Sequence, residues 1–225
     1  MRRKSGLHDR NRSAFYNICY TMPGIQLMKG RTVSRTPTVT HKTILDASIA
    51  LIREQGYERL NARALAKRIG CSTQPILYCF KSMDDLRRAV YEAVDQLHTA
   101  FLLEGLDNPD PLLGLGLKYV QFAYEEPFLF RFLFQSNELG QHDMVGLIDN
   151  PALIPLLTQV AEEGNLDETA ARRTFLTIFA TAHGFASLLA NNALEYDEEL
   201  VASSLLGSFM GASQFEKETS DEISR

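Results

Sequence analysis

Residues 60–81 read LNARALAKRIGCSTQPILYCFK, and this stretch decides the fold of the chain. Its first half places four apolar residues at the i, i+3, i+4, i+7 spacing of one helical face: Ala62, Leu65, Ala66 and Ile69. Gly70 follows, and glycine adopts the positive φ that ends many helices without a steric penalty. The stretch therefore predicts two short helices joined by a tight turn, a helix-turn-helix.

Capping residues mark the starts of both helices. Asn61 precedes the first, and its side-chain carbonyl can accept from the N–H groups of the first turn. Ser72 is predicted to cap the second helix, and Pro75 lies in its first turn, where a missing N–H costs no helical bond. Ile76 and Phe80 are expected to pack against the first helix. Spacing alone also allows an ordinary helical hairpin from a helical core.

The flanking sequence extends the motif into a three-helix module. Residues 40–55 carry an apolar stripe and are followed by Gly56, which predicts a helix that ends there. Ser82 and Asp85 fit a capping box at the start of a further, longer helix. The apolar face of this longer helix is predicted to comprise Leu86, Val90, Ala93, Leu97 and Phe101.

Charge is unevenly distributed along the chain. Residues 29–91 contain 12 Lys and Arg against 5 Asp and Glu, a net charge of +7. Residues 92–225 contain 6 against 22, a net charge of −16. A basic segment favours contact with phosphates, and an acidic remainder discourages such contact elsewhere. Because the basic segment coincides with the helix-turn-helix, the pattern indicates a nucleic-acid-binding head.

Residues 40–90 resemble the amino-terminal domain of TetR-family transcriptional regulators. The residues that carry the resemblance, in their order and spacing, are Ile44, Ala47, Gly56, Tyr57, Ala66, Gly70, Ser72, Phe80 and Leu86. Three positions depart from the family pattern. Asn61 stands where Thr or Ser is usual, Leu77 where Tyr is usual, and Met83 where Lys is usual.

The resemblance implies a regulator whose second helix of the motif enters an operator in double-stranded DNA. Thr73 and Gln74, near the start of that helix, are the candidates for base reading, because Gln can pair bidentately with adenine. Further candidates for DNA contact, to phosphates above all, are the polar residues around them: Tyr78, Lys81, Lys42, Arg63, Ser72 and Asn61.

The remainder of the chain is predicted to be helical. The expected helices are residues 112–124, 128–134, 152–163, 167–192 and 197–211, with a loop over 136–151. No segment requires a β-strand, so the predicted fold class is all-α, a three-helix head followed by a helical bundle. The predicted domains are a disordered extension (1–35), the helix-turn-helix domain (36–84), a ligand-binding and dimerisation domain (85–212) and a disordered tail (213–225).

Two segments resemble the ligand-binding domain of one TetR subgroup, named WHG for Trp-His-Gly. Residues 122–131 resemble its aromatic stretch around a proline, and residues 182–186 its Trp-x-x-x-His-Gly signature, with Phe179 in the Trp position. The resemblance implies a pocket for an unidentified small molecule, and the candidate contacts are Phe101, Phe122, Phe130, Phe134, Phe179 and His183. A hydrogen-bonded core histidine is the alternative for His183, and core packing is the alternative for the phenylalanines of 128–134.

Small residues recur on the last two predicted helices. Ala180, Gly184 and Ser187 lie on the helix 167–192, and Gly207 and Gly211 on the helix 197–211. Glycine inside a helix costs about 1 kcal/mol relative to alanine, so repeated glycines indicate close helix packing. We therefore expect a homodimer that forms through these two helices.

Composition places only broad limits on domain number, membrane association, location and cofactors. The 225 residues suffice for one or two domains with a buried core. No apolar run reaches the length of a membrane span, so no membrane partner is expected. The cysteines Cys19, Cys71 and Cys79 do not form a secreted disulfide framework, so a cytoplasmic location is expected. No cofactor or metal site is indicated by ligand spacing.

Residues 1–28 begin with basic residues and continue into a short apolar run, superficially like a signal peptide. The run is interrupted by Asn17 and lacks a small-residue cleavage site. We expect translation to start at Met22 or Met28, and the alternative is a disordered basic arm.

The expected function is a ligand-responsive DNA-binding regulator, which in the resembled family is usually a repressor that a small molecule releases. A thiol-based redox sensor that uses Cys71 and Cys79 is one alternative. A helical enzyme is the other, and the sequence offers it no acid–base pair. Adjacent carboxylates such as Glu125 and Glu126 point about 100° apart on a helix.

Overall fold

The computed structural model describes residues 39–136 and 151–223 of the chain, and every regular element in these residues is helical. The α-helices are α1 (His41–Gln55), α2 (Ala62–Ile69), α3 (Gln74–Cys79), α4 (Met83–Leu103), α5 (Pro111–Glu125), α6 (Pro127–Phe134), α7 (Ile154–Gly164), α8 (Glu168–Asn191) and α9 (Glu198–Ile223). Short 3₁₀ turns span Tyr57–Arg59, Glu104–Asp107 and Pro151–Leu153. The all-α prediction is confirmed. The predicted extension 1–35 and most of the predicted loop 136–151 lie outside the described residues.

The described residues form two compact units. The amino-terminal unit comprises residues 39–98 and 126–136, and the carboxy-terminal unit comprises residues 99–125 and 151–223. The boundary falls within α4, after His98, and α6 belongs to the amino-terminal unit. The predicted boundary between residues 84 and 85 is therefore wrong. Sequence order suggested it, whereas long-range packing decides the unit to which α6 belongs.

The amino-terminal unit is built around α1. Thr40 caps this helix in a capping box: its Oγ1 accepts from the Thr43 N–H at 3.2 Å, and the Thr43 hydroxyl accepts from the Thr40 N–H at 2.8 Å. The fully buried side chains of the core that α1 to α4 form include Ile44, Ile52, Leu65, Ile76 and Leu86. The apolar spacing read from the sequence thus forms the core that holds the helix-turn-helix.

Helix α6 packs its aromatic side chains into this same unit. The Tyr57 and Phe132 rings lie 6.0 Å apart, and Tyr91 meets Phe132 edge-on at 5.9 Å. Arg53 on α1 forms an ion pair with Glu126 at 2.7 Å, just before α6 begins. Phe132 is fully buried, so α6 completes the core of the amino-terminal unit.

The buried face of α4 differs from the predicted one. Its buried residues are Leu86, Val90, Val94 and His98, whereas Leu97 is 41% exposed. Each i+4 step advances about 40° around an α-helix, so a row of i+4 neighbours winds around the axis. The buried row follows this path and leaves Leu97 at the edge of the packed surface.

In the carboxy-terminal unit, α5, α8 and α9 pack against one another, and the turn Glu104–Asp107 crosses α5 closely. Gly105 and Gly114 mark this crossing, because a Cβ on Gly105 would collide with the backbone of Gly114, and one on Gly114 would collide with the backbone of Gly105. Only hydrogen fits at either position. This close approach explains why α5 carries a glycine that weakens it as an isolated helix.

Helix α9 continues twelve residues beyond the predicted end at Gly211, as far as Ile223. The prediction of a disordered tail over 213–225 is therefore wrong for 213–223. Ser213 and Glu216 are buried, and the Arg173 guanidinium donates to the Glu216 carboxylate at 2.8 Å. Because Glu216 is paired with Arg173 on α8 and both side chains are covered, the helix continues through a segment whose polar composition suggested fraying.

Candidate DNA-recognition surface and aromatic cluster

The turn of the helix-turn-helix is fixed by its caps. The Asn61 side chain accepts from the Ala64 N–H at 3.0 Å, which satisfies an open donor of α2. Gly70 ends α2 in the left-handed region at φ 77°, and the N–H groups of Gly70 and Cys71 both bond to the Ala66 carbonyl. A residue with a Cβ would be strained at this position. The turn thus sets the direction in which α3 leaves α2.

Helix α3 begins one residue later than predicted. Thr73 occupies the N-cap position with helical dihedrals and makes no side-chain cap bond, and Pro75 lies in the first turn. Ser72 is exposed and does not cap the helix, because the N-cap position falls one residue beyond it. The predicted capping role of Ser72 is therefore wrong, and its hydroxyl lies at the surface.

The outer face of α3 carries the predicted base-reading region. Gln74 is exposed, Thr73 is half-buried, and Tyr78 is 90% exposed. Ile76 and Phe80 are buried, as the spacing predicted. A surface depression of about 330 Å³ runs beside this face, and its lining consists of Val39, Ser72, Gln74, Pro75, Tyr78 and Cys79. The face therefore offers amide, hydroxyl and phenol groups at one surface.

The basic residues around α3 differ in whether an ion pair already holds their side chains. Lys81 and Arg63 are exposed. Lys42 is exposed and forms an intrahelical ion pair with Asp46 at 2.7 Å, a type of pair that contributes little. Arg68 donates through both terminal guanidinium nitrogens to Glu54, at 2.7 and 2.6 Å, and this pairing lowers the pKa of Glu54. Arg68 thus joins α2 to α1, whereas Arg63 and Lys81 remain available at the surface.

The two described cysteines flank the recognition helix. Cys71 precedes α3 and Cys79 ends it, and both are half-buried free thiols. Cys19 lies outside the described residues. The structure thus places both thiols beside the predicted DNA-contacting face.

In the carboxy-terminal unit, a hydrogen bond joins two side chains that are 64 residues apart. The Tyr119 hydroxyl lies 2.8 Å from Nδ1 of His183. Burial raises the pKa of the Tyr119 phenol and lowers the pKa of His183, so both groups are neutral near pH 7. Tyr119 is 7% exposed and is not among the residues that the sequence pattern predicted. Its only sequence signal was its place on the buried face of α5.

Phe179 completes an aromatic cluster with this pair. Its ring lies 5.8 Å from both the Tyr119 ring and the His183 ring, and it stacks with Phe175 at 6.3 Å. We call Tyr119, Phe179 and His183 the aromatic cluster. Two of the six predicted ligand contacts therefore meet here, and a phenol that was not predicted lies between α5 and α8 with them.

The other predicted ligand contacts lie elsewhere. Phe101 and Phe122 form an edge-to-face pair at 5.6 Å in the carboxy-terminal unit, where the Lys118 ammonium lies 4.8 Å above the Phe101 ring. Phe130 and Phe134 pair at 4.9 Å in the amino-terminal unit, and Phe130 is fully buried. The structure therefore divides the six residues between two units, and Phe130 is a core residue of the amino-terminal unit.

Apolar and small residues share an exposed surface on α8 and α9. Leu188, Leu206 and Met210 are 53%, 40% and 68% exposed. A Cβ added at Gly184, Gly207 or Gly211 would meet no atom within 4 Å in the same chain. Near the start of α9 the surface continues as a groove of about 230 Å³ lined largely by leucines. We call the surface formed by these apolar residues and glycines the α8–α9 surface: Gly184, Leu188, Leu206, Gly207, Met210 and Gly211.

Two negative findings apply to residues 39–136 and 151–223. No three His, Cys, Asp or Glu side chains within these ranges are arranged to hold a metal ion. No helix there is both long and apolar enough to cross a bilayer.

Comparison with known proteins gives matches in both parts of the chain. The profile described as "Bacterial regulatory proteins, tetR family" matches residues 44–90, which span the helix-turn-helix and the first part of α4. The profile described as "Tetracyclin repressor-like, C-terminal domain" matches residues 112–209, from α5 into α9. Helix α6 falls within the carboxy-terminal profile, although it packs in the amino-terminal unit.

Two curated bacterial relatives match most of the chain. The uncharacterised HTH-type transcriptional regulator YobS of Bacillus subtilis is 24% identical over 73% of this chain and 86% of its own length. The uncharacterised HTH-type transcriptional regulator Rv0681 of Mycobacterium tuberculosis is 22% identical over 70% of this chain and 73% of its own length. A crystal structure from Pseudomonas aeruginosa PAO1, assigned as a transcriptional regulator, shares the fold with a TM-score of 0.57 and 16% identity. It matches 77% of this chain and 90% of its own.

Proposed function

The chain belongs to the TetR family of transcriptional regulators, and from that premise we propose that it is a dimeric repressor that a small molecule releases from its operator. The observation that supports the proposal best is the exposed outer face of α3, held at a fixed angle by the caps at Asn61 and Gly70. A recognition helix needs both an accessible face and a rigid turn behind it. We place its action in the cytoplasm, where operators are found.

Operator reading rests on residues at the start of α3. Gln74 is exposed there and presents an amide, the group that pairs with adenine N6 and N7 in the major groove. Thr73 is half-buried and contributes a hydroxyl beside it. Tyr78, Lys81 and Arg63 surround this start with donors suited to phosphate oxygens, which fix register rather than sequence.

Supporting phosphate contacts come from the edges of the motif. Lys42 gives up only an exposed, weak ion pair with Asp46 when it turns to a phosphate. Ser72 has an exposed hydroxyl free of any capping duty, whereas Asn61 already bonds to the Ala64 N–H. We therefore rank Ser72 and Lys42 above Asn61 as contacts.

The dimer forms through the α8–α9 surface. Gly184 on α8 and Gly207 and Gly211 on α9 leave space above the backbone, so another helix can approach closely. Leu188, Leu206 and Met210 add apolar area whose exposure to water is unfavourable in a monomer. A two-fold axis through this surface relates the two recognition helices, which must fall one turn of DNA apart, roughly 34–36 Å.

The small-molecule site includes the aromatic cluster. Tyr119 and His183 provide polar groups among apolar rings, the usual lining of a site for a small aromatic or amphipathic molecule. Such a molecule releases the operator only to the extent that it binds the DNA-free conformation more tightly than the DNA-bound one. Tyr119→Phe should therefore change the concentration of effector that releases DNA while it leaves operator affinity without effector unchanged.

The decisive experiment selects operators from a pool of random duplexes with the full-length protein. We expect a palindromic sequence that binds about a thousandfold more tightly than scrambled DNA at physiological salt. Equal binding of the selected and scrambled duplexes would overturn the proposal. A transcription assay from a promoter that contains the selected site then separates repression from activation.

A further inference from the structure

The outer face of α3 carries an apolar side chain that the proposed function does not use. Leu77 and Tyr78 follow Gln74 by three and four residues, the spacing that places side chains on one side of a helix. Leu77 is 46% exposed, although its neighbour Ile76 is fully buried. The core of the unit therefore does not account for the apolar character of position 77.

Exposed apolar side chains are concentrated at this place in the unit. Among the described residues of the amino-terminal unit, the large hydrophobic side chains with high exposure are Leu77, Tyr78 and Leu97. Two of these three lie on α3, between an amide at Gln74 and the exposed cation of Lys81. An exposed leucine within a basic, polar surface suits a partner that is an anion overall and presents an isolated apolar group.

We propose that Leu77 contacts the 5-methyl group of a thymine in the operator and thereby selects that base. The inference rests on the proposed function, because it requires α3 to lie in the major groove. Thymine is the only base of DNA that presents a methyl group there, and apolar side chains are its usual partners. The net charge of +7 over residues 29–91 favours a duplex over another protein as the occupant of this face.

The spacing along α3 fixes where that thymine lies. Three residues of helix rise about 4.5 Å, and successive base pairs are separated by about 3.4 Å. A base contact by Gln74 and one by Leu77 therefore fall on neighbouring base pairs or on pairs separated by one step. The expected signature is a thymine beside the adenine that Gln74 reads.

Replacement of thymine by deoxyuridine tests this contact, because deoxyuridine lacks only the methyl group and keeps every base-pairing hydrogen bond. The selected operator is synthesised with each thymine replaced in turn, and fluorescence anisotropy gives the affinity of the full-length protein. For the unmodified protein we expect one replacement in each half-site to weaken binding about three- to fivefold. Leu77→Ala should bind both duplexes equally and about as weakly as the unmodified protein binds the deoxyuridine duplex.

Two control variants make the result specific. Leu97→Ala removes an exposed leucine from α4 in the same unit and should keep the thymine preference. Gln74→Ala should relax the adenine preference and also keep the thymine preference. Thermal unfolding of Leu77→Ala should match that of the unmodified protein, because Leu77 lies at the surface.

The inference is overturned if no deoxyuridine replacement weakens binding, or if Leu77→Ala still prefers thymine, while the protein selects its operator normally. Failure of the proposed function gives a different result: the protein then fails to prefer the selected duplex over a scrambled one. In that case both the function and the thymine contact are rejected together.

Discussion

Arg173 at the start of α8 and Glu216 near the end of α9 form an ion pair across 43 residues of sequence. The Glu216 side chain is only 7% exposed, whereas that of Arg173 is 56% exposed. The pair therefore covers a buried carboxylate with a guanidinium that is partly in water. It fixes the last turns of α9 against α8 in a segment whose composition looks disordered.

Removal of the guanidinium leaves the buried Glu216 carboxylate without this partner. We expect Arg173→Met to lower the midpoint of thermal unfolding by about 2–4 °C and to fray the last turns of α9. Differential scanning calorimetry and hydrogen exchange of residues 212–223 measure the two effects. Arg172→Met, which removes an intrahelical pair with Glu168, is the matched control and should change the midpoint less. An unchanged midpoint in Arg173→Met would show that the pair adds nothing.

Gln74 is expected to discriminate at one base pair in each half-site. Gln74→Ala should lose about 1–3 kcal/mol of preference for adenine at that position, because the bidentate amide contact disappears. Competition binding with all four base pairs at each operator position measures the loss. A specificity profile identical to that of the unmodified protein would exclude Gln74 as a reader.

Lys81 is expected to act on affinity without acting on sequence preference. Lys81→Ala should weaken binding to every duplex by a similar factor and reduce the slope of log K against log salt by about 1. Titrations at several salt concentrations with operator and scrambled DNA measure both. Arg172→Ala in the carboxy-terminal unit removes the same charge and should leave the slope unchanged.

Gly207 tests the proposed dimer surface, because a Cβ there meets no atom of its own chain within 4 Å. Gly207→Leu should weaken dimerisation about tenfold or more, since the larger side chain blocks close approach of the partner helix. Sedimentation equilibrium measures the dissociation constant. Gly207→Ala is the matched control and should stay dimeric with a slightly more stable helix. An equally dimeric Gly207→Leu would place the interface elsewhere.

His98 gives the protein a pH-dependent stability of defined sign. Burial lowers the pKa of His98 to about 4, so the unfolded chain takes up a proton before the folded protein does as the pH falls. Stability is therefore present above pH 6.5 and is lost as the pH falls towards 4. Between pH 7.5 and 5 the loss from this residue should be about 2 kcal/mol.

His98→Leu should remove this component, because leucine has no proton to take up and suits the contact with the Phe134 ring. Urea unfolding at pH 7.5 and 5 measures the difference for both proteins. If both lose the same stability between these pH values, His98 is not the group responsible.

Local signals in the sequence were sufficient for the helix-turn-helix. Gly70, the Asn61 cap and the apolar spacing around Leu65 all act within one or two helical turns, and the structure contains all three. The start of α3 was misplaced by one residue. Ser72 and Thr73 are both acceptable caps, and only the backbone dihedrals of Thr73 decide between them.

The structural features that the sequence did not predict depend on long-range contacts. Nothing near Phe130 or Phe134 shows that α6 packs with α1 rather than with the helices on either side of it in sequence. The hydrogen bond between Tyr119 and His183 spans 64 residues, so no local sequence pattern indicated the role of the Tyr119 phenol. In the same way, the extension of α9 depends on Arg173, which lies on another helix.

The assignment of α6 to the amino-terminal unit has a consequence for how such proteins diversify. The DNA-reading part of this chain is discontinuous in the gene, since residues 39–98 and 126–136 both contribute to it. A single recombination crossover after α4 would combine a new head with the old α6 and break the packing of Phe132 with Tyr57 and Tyr91. Exchange of this whole unit with residues 99–125 retained therefore requires three crossovers, after residue 98, after residue 125 and after α6, or an α6 whose aromatic residues suit both heads.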